Sequence, residues 1–279
     1  MTQHTPTAAA ERADAERADG PASWTNFRRR RDESLAARHG ILSQVALHWI
    51  DPSAGPQRLG EVPGSWEIIE DRPVVRFGGT ELTLLADSSE IGVRADDGVV
   101  VTTVTSAGDV RLASFGEDVQ IDVIRRGGRI GLRLLDPAAP RLAAFDGVPT
   151  FPYDPAFVHT GTFRAQPATV RVGSALPWLE QELSSPGVVT LEIAGTEVDL
   201  VLTGESSILF TDETSGSESA HWRQVSAQLD GDRVHVDLNF SLNFPSAFSA
   251  WGTCPRPPAG NHLPLAVRAG EARVEPTER

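Results

Sequence analysis

The sequence predicts an all-β protein, antiparallel sheets stacked as a sandwich or closed into a barrel-like form, led by one N-terminal helix. Three observations carry this. From about residue 64 apolar and polar residues alternate with period two through a long series of short runs. Dipeptides suited to tight hairpins, such as Asp97-Gly98, Gly127-Gly128 and Asp230-Gly231, separate those runs. Only one segment has convincing helical spacing.

Residues 1–22 are rich in Ala, Glu, Arg, Asp, Thr and Pro and offer no apolar face, which is the composition of a disordered arm. A helix is expected over about 24–38, with Ser23 as its N-cap, Trp24, Phe27 and Leu35 on one stripe, and Gly40 as its stop. The apolar run Ile41–Ile50 suits a buried strand or a short helix, and periodicity does not decide. Strands are then expected at Ser65–Glu70, Pro73–Phe77, Glu81–Leu85, Glu90–Ala95, Val99–Thr105, Val110–Phe115, Val119–Arg126 and Arg129–Leu135. A second set follows at Thr162–Gln166, Thr169–Val172, Val188–Ile193, Glu197–Leu202, Ser207–Phe210, Trp222–Leu229, Arg233–Phe240 and Pro264–Arg268. The prolines at 152 and 155 mark the natural midpoint. The expected organisation is an arm over 1–22, a helix plus β sub-domain over 23–155, and a second β sub-domain over 156–279.

Composition restricts the chemistry. All 25 basic residues are arginine, so P-loop lysines, Schiff bases and Ser–Lys dyads are excluded. The single cysteine, Cys254, excludes intrachain disulfides and zinc sites built on several thiolates. A net charge of −13 repels a phosphate backbone, so nucleic acid is not the expected partner. Neither an export signal nor a run of about 18 apolar residues is present, which points to a soluble cytoplasmic protein without a membrane partner. Seven scattered histidines lack ligand spacing, and Gly127-Gly128-Arg129-Ile130-Gly131 falls inside a hairpin, so no metal and no cofactor are expected.

Three local features bear on a site. In the strand expected over Arg233–Ser241, alternation puts His235, Asp237 and Asn239 on one face at intervals of about 7 Å, with Asn243 continuing the row. Glu180 and Glu182 read as solvated charges on a turn or short helix. The run Arg28–Arg31 reads as a solvated or carboxylate-paired surface, or a docking surface.

The C-terminal third has a distinctive pattern: Asp237-Leu-Asn239-Phe-Ser-Leu-Asn243-Phe-Pro245, then Cys254-Pro-Arg-Pro-Pro-Ala-Gly-Asn261-His-Leu263, then Ala269-Gly270-Glu271. Together with Phe151-Pro152-Tyr-Asp and Phe210-Thr-Asp212-Glu-Thr214-Ser-Gly216, this resembles the bacterial family of domain of unknown function 1684 (DUF1684). The chain departs from the family pattern at Leu242 and Ser246, where tyrosine and cysteine are usual. The resemblance implies no particular activity. It directs attention to Asp237, Asn239, Asn243, Asn261 and Glu271, with Arg223 and His235 nearby, as contacts for a small polar ligand. The competing expectations are a hydrolase with Asp237 or Glu271 as general base and His235 as partner, or an interaction protein with no small-molecule site.

Overall fold

The computed structural model describes residues 20–274, so most of the arm expected over 1–22 lies outside the described residues. The protein is mostly antiparallel sheet with an N-terminal helix, the class the sequence predicts. Two compact units are present. Leu35–Phe145 form one; residues 146–274, with residues 20–34, form the other. No helix among the described residues is long and apolar enough to cross a membrane.

The helix α1 spans Pro21–Leu35, three residues earlier than expected at each end. Proline at the first helical position supplies the start, because its missing N–H is unsatisfied there anyway. Ser23 is therefore inside the helix, where its hydroxyl donates to the Gly20 carbonyl.

The unit of Leu35–Phe145 carries β1 (Gln44–Trp49), β2 (Gln57–Leu59), β3 (Val62–Ile69), β4 (Arg72–Gly78), β5 (Thr83–Leu84), β6 (Ile91–Asp96), β7 (Val99–Val104), β8 (Val110–Phe115), β9 (Val119–Arg126) and β10 (Arg129–Leu135). Two 5-stranded sheets result, ordered β1-β10-β9-β8-β5 and β2-β3-β4-β7-β6. The ambiguous apolar run thus resolves as one 3₁₀ turn followed by a strand. Hairpins form where turn chemistry allows: Asp97 and Gly98 both have positive φ, as do Gly127 and Gly128, the geometry whose twist matches the flanking strands. The core lies between the sheets, with Trp66, Val75 and Phe77 from one and Leu112, Ile121, Val123 and Leu132 from the other.

The second unit carries β11 (Val158–Gly173), β12 (Glu180–Ile193), β13 (Thr196–Val201), β14 (Ser207–Asp212), β15 (Arg223–Ser226), β16 (Gln228–Asp230), β17 (Arg233–Asp237), β18 (Leu242–Asn243) and β19 (His262–Leu263). Its sheets are ordered β13-β12-β11-β17-β16 and β18-β15-β14-β19, the β14–β19 pair being parallel. Val189, Leu191, Leu200, Phe210, Val225 and Val236 form its core.

Several boundaries differ from the sequence reading, each for a local reason. The two short strands expected over 162–172 are one strand, bulged between Ala165 and Ala168 around Pro167, which cannot donate to the ladder. Glu180 and Glu182 belong to a strand and not to a turn or helix, with both side chains exposed as expected. The run Trp222–Leu229 divides at Ala227, its halves joining different sheets. Residues 264–268 form no strand; the pairing falls on His262 and Leu263 instead.

Gly161 sits where β11 is flanked by β12 and β17, opposite Leu191 and Val234. A Cβ at this position would lie 2.1 Å from the Thr190 carbonyl oxygen, in backbone that cannot give way cheaply. Gly161→Ala is expected to destabilise the protein by about 1–3 kcal/mol, the range for inserting atoms into a packed interior. A urea midpoint equal to that of the wild type would contradict the assignment.

Candidate functional site

The strand that the sequence extends to Ser241 stops at Asp237, because Asp237 turns its own carboxylate onto the following backbone. Its Oδ1 accepts from the Asn239 amide at 2.9 Å and from Asn239 Nδ2 at 2.7 Å, and Leu238–Phe240 close into a 3₁₀ turn. This is the local competition by which Asp side chains end regular structure. The expected row of His235, Asp237 and Asn239 on one strand face is therefore corrected: Asp237 and Asn239 touch each other. Asn239 also exchanges two hydrogen bonds with the Asp154 backbone, and its carbonyl accepts from Trp24 Nε1 at 3.0 Å.

Glu271 lies at the centre of a second cluster and has no exposed surface. Oε1 accepts from Arg28 Nη1 at 2.9 Å and from Arg31 Nε at 3.0 Å, while Oε2 accepts from the Asn243 amide at 2.6 Å. Arg31 Nη2 donates in addition to the Asn243 carbonyl at 3.0 Å, and Asn243 Nδ2 donates to the Ala272 carbonyl at 2.9 Å. Residues three apart share a helix face, so Arg28 and Arg31 reach one carboxylate while Arg29 points outward to Glu33. Half of the arginine run is thus a buried, carboxylate-paired surface.

Arg223 pairs across the sheet with Asn243 and fills the space beside Glu271. Its guanidinium donates to Asp212 Oδ2 at 2.9 Å and to the carbonyls of Val267, Ala269 and Glu271 at 2.8, 2.6 and 3.0 Å. Burial pushes its pKa down from the usual arginine value, and the charges of Asp212 and Glu271 oppose that shift. Asp212 Oδ1 in turn accepts from the Thr214 amide and hydroxyl at 2.7 and 2.5 Å. Three carbonyls of the segment 267–271 are thus satisfied by one side chain, while the Gly270 carbonyl accepts from the Phe151 amide beside the single bridge of Glu271 with Thr150.

Asn261 makes a third, separate contact. Its amide exchanges hydrogen bonds with Val201 N and O at 2.8 and 2.9 Å and donates to the Leu209 carbonyl at 2.8 Å, tying β13 to β14. His235 stands apart from all of these, half-buried on β17 opposite Thr160 and Gln228.

Of the seven expected site residues, the structure brings Arg223, Asn243 and Glu271 together. Asp237 and Asn239 form a neighbouring pair, and Asn261 and His235 join neither group. Three participants were not among the expected contacts. Asp212 stands within the family-like stretch at 210–216, and Arg28 and Arg31 show only the i, i+3 spacing as a signal. Among the described residues no group of three or more His, Cys, Asp or Glu could hold a metal ion.

Among the groups perturbed outside the expected set is one histidine. Burial pushes the His159 imidazole below its ordinary value of 6.5, opposed by a hydrogen bond to the Glu192 backbone and by the Asp237 charge. Its Nε2 is buried without a hydrogen-bond partner.

Residues 143–272 match the family described as "Protein of unknown function (DUF1684)". No curated protein matches the chain. Among solved structures, the chain is similar to an uncharacterised protein of Haloarcula marismortui determined by solution NMR. The two are 25% identical over 49% of this chain and 82% of that one, with a TM-score of 0.40.

Two predictions test this geometry. Asp212→Asn leaves the Arg223 charge buried without its counter-ion and should lower the unfolding free energy by about 3–5 kcal/mol in urea. Arg171→Gln, which removes an exposed pair with Glu182, should leave the midpoint unchanged; equal effects of the two would contradict the account. A histidine held neutral in the fold but free to protonate when unfolded contributes stability that is present above pH 6.5 and lost as pH falls below it. The melting temperature should fall between about pH 7.5 and 5.5, before carboxylates titrate, and His159→Phe should flatten that fall. Identical pH slopes in the two proteins would rule it out.

Proposed function

We propose that the protein, whose residues 143–272 form a DUF1684 domain, works by binding a small polar ligand, with the family signature serving as its frame and not as the ligand's contacts. The observation that carries this reading is the engagement of Glu271: no exposed surface, and both carboxylate oxygens taken by donors of the chain itself. A general base must reach the proton it abstracts, and a ligand contact must have a free valence. Arg223 is held the same way by one carboxylate and three carbonyls, and Asn261 by three backbone groups. The net charge of −13 supports a partner other than nucleic acid. A cytoplasmic location belongs to the same proposal, supported by a chain with one cysteine and no lengthy apolar run.

A hydrolase is the second reading, and its favouring observation lies away from Asp237 and Glu271. Thr211 Oγ1 is 3.0 Å from His262 Nδ1, and Glu213 Oε1 is 3.3 Å from His262 Nε2, an alcohol–imidazole–carboxylate row. The His262 and Glu213 side chains are exposed, so water weakens the coupling between them.

The test is a thermal-shift panel of small carboxylates, phosphates, sugars, amines and divalent metals, run on the wild type and on Asp237→Asn. Binding predicts that at least one compound raises the wild-type melting temperature by about 2 °C or more. Asp237→Asn should lower the starting temperature yet keep that shift. A variant that melts like the wild type but loses the shift would overturn the frame assignment. A panel without any shift, together with p-nitrophenyl acetate hydrolysis abolished by Thr211→Val, would favour the second reading.

A further inference from the structure

A concave surface of ligand size occurs in the unit of Leu35–Phe145, on the face of β4, β7 and β6 turned away from its core. It is a groove of about 390 Å³, within the range of small-molecule sites. Strand register builds it. Arg76 pairs with Val101 and Val101 with Arg94, so two arginines stand on either side of one valine, about 10 Å apart across two strand spacings. In the next row Val74 pairs with Thr103 and Thr103 with Gly92. Val74, Val101 and Thr103 make the floor, and a Cβ at Gly92 would meet nothing within 4 Å, which leaves that end open.

The charges are placed unequally. Arg76 is ion-paired with Glu67, but Arg94 is exposed and has no ion pair among the described residues. Arg72 lies at the opposite end of the groove, together with Glu70. In a protein with 38 acidic residues and 25 basic ones, a guanidinium that no carboxylate pairs among the described residues stands beside the floor as a donor fork.

We propose that this groove binds a small organic anion, its carboxylate or phosphate held between Arg76 and Arg94 and its apolar body laid over Val74, Val101 and Thr103. The proposal rests on the binding reading above and names the ligand class. At the far end the charges of Arg72 and Glu70 offset each other, which favours the anionic group at Arg94. The floor favours the body: Val101 and Thr103 are only half-buried, and an ion without a body leaves them uncovered and gains only the exposed charge contact.

The test uses benzoate and phenyl phosphate as probes, benzyl alcohol as the neutral control, and inorganic phosphate as the control without a body. Amide resonances of the protein are followed by nitrogen–proton correlation NMR. At least one of the two aromatic anions should shift the amides of residues 74, 92, 94, 101 and 103. Which of them binds more tightly separates a carboxylate site from a phosphate site. Benzyl alcohol and inorganic phosphate should each bind at least tenfold more weakly than the better probe. Arg94→Gln should cost about tenfold in affinity, and Gly92→Phe, which fills open space without a clash, should abolish binding while leaving the melting temperature unchanged. If both aromatic anions leave these amides unmoved, or bind equally well to Gly92→Phe, the groove assignment falls. Should a compound of the wider panel still stabilise the Gly92→Phe protein, the groove is wrong while the binding reading stands.

Discussion

A carboxylate with no exposed surface must have its charge balanced where it lies, and around Glu271 that requirement organises one whole unit. Two guanidiniums come from α1, more than 200 residues away in sequence, and one amide comes from β18. Arg31 then binds the carbonyl of the residue whose amide Glu271 holds, so helix and strand share one closed arrangement of donors and acceptors. Arg223 completes it from the opposite side by taking the Glu271 carbonyl together with those of Val267 and Ala269. Removing any member exposes the others to the cost of a buried, uncompensated group, which is why such arrangements are all or nothing.

Much of the fold was legible because the hairpins are local. Val110–Phe115, Val119–Arg126 and Arg129–Leu135 fall where alternation and turn residues place them, since each strand pairs with a neighbour a few residues away. The site was less legible. The family-like pattern did pick out Asp237, Asn239, Asn243, Asn261 and Glu271, but it carried no information on whether those side chains face a ligand or one another. Asp237 shows the difficulty: strand alternation assigns it to an open face, while its own carboxylate ends the strand at Asp237, short of Ser241. The role of Arg28 and Arg31 was hidden for a different reason. Four consecutive arginines read as surface, and only a partner 240 or more residues distant turns two of them inward.

The absence of lysine takes on physical meaning in this setting. The cations paired with Glu271 and Asp212 are guanidiniums, whose planar forks serve several acceptors at once. Arg223 meets a carboxylate and three carbonyls, more acceptors than the three donors of an ammonium can serve. The groove proposed on β4, β7 and β6 draws on the same property. One residue type therefore does two jobs, locking the frame in one unit and presenting a donor fork to solvent in the other.

The central claim is that the buried charge of Glu271 holds α1 onto the C-terminal unit. Hydrogen–deuterium exchange of wild type and Glu271→Gln tests it directly, because this substitution keeps the shape and removes the charge. The account predicts at least tenfold faster exchange in peptides covering residues 24–34, with residues 110–135 of the other unit unchanged. Helix protection equal to that of the wild type, or an equal loss in both regions, would contradict it.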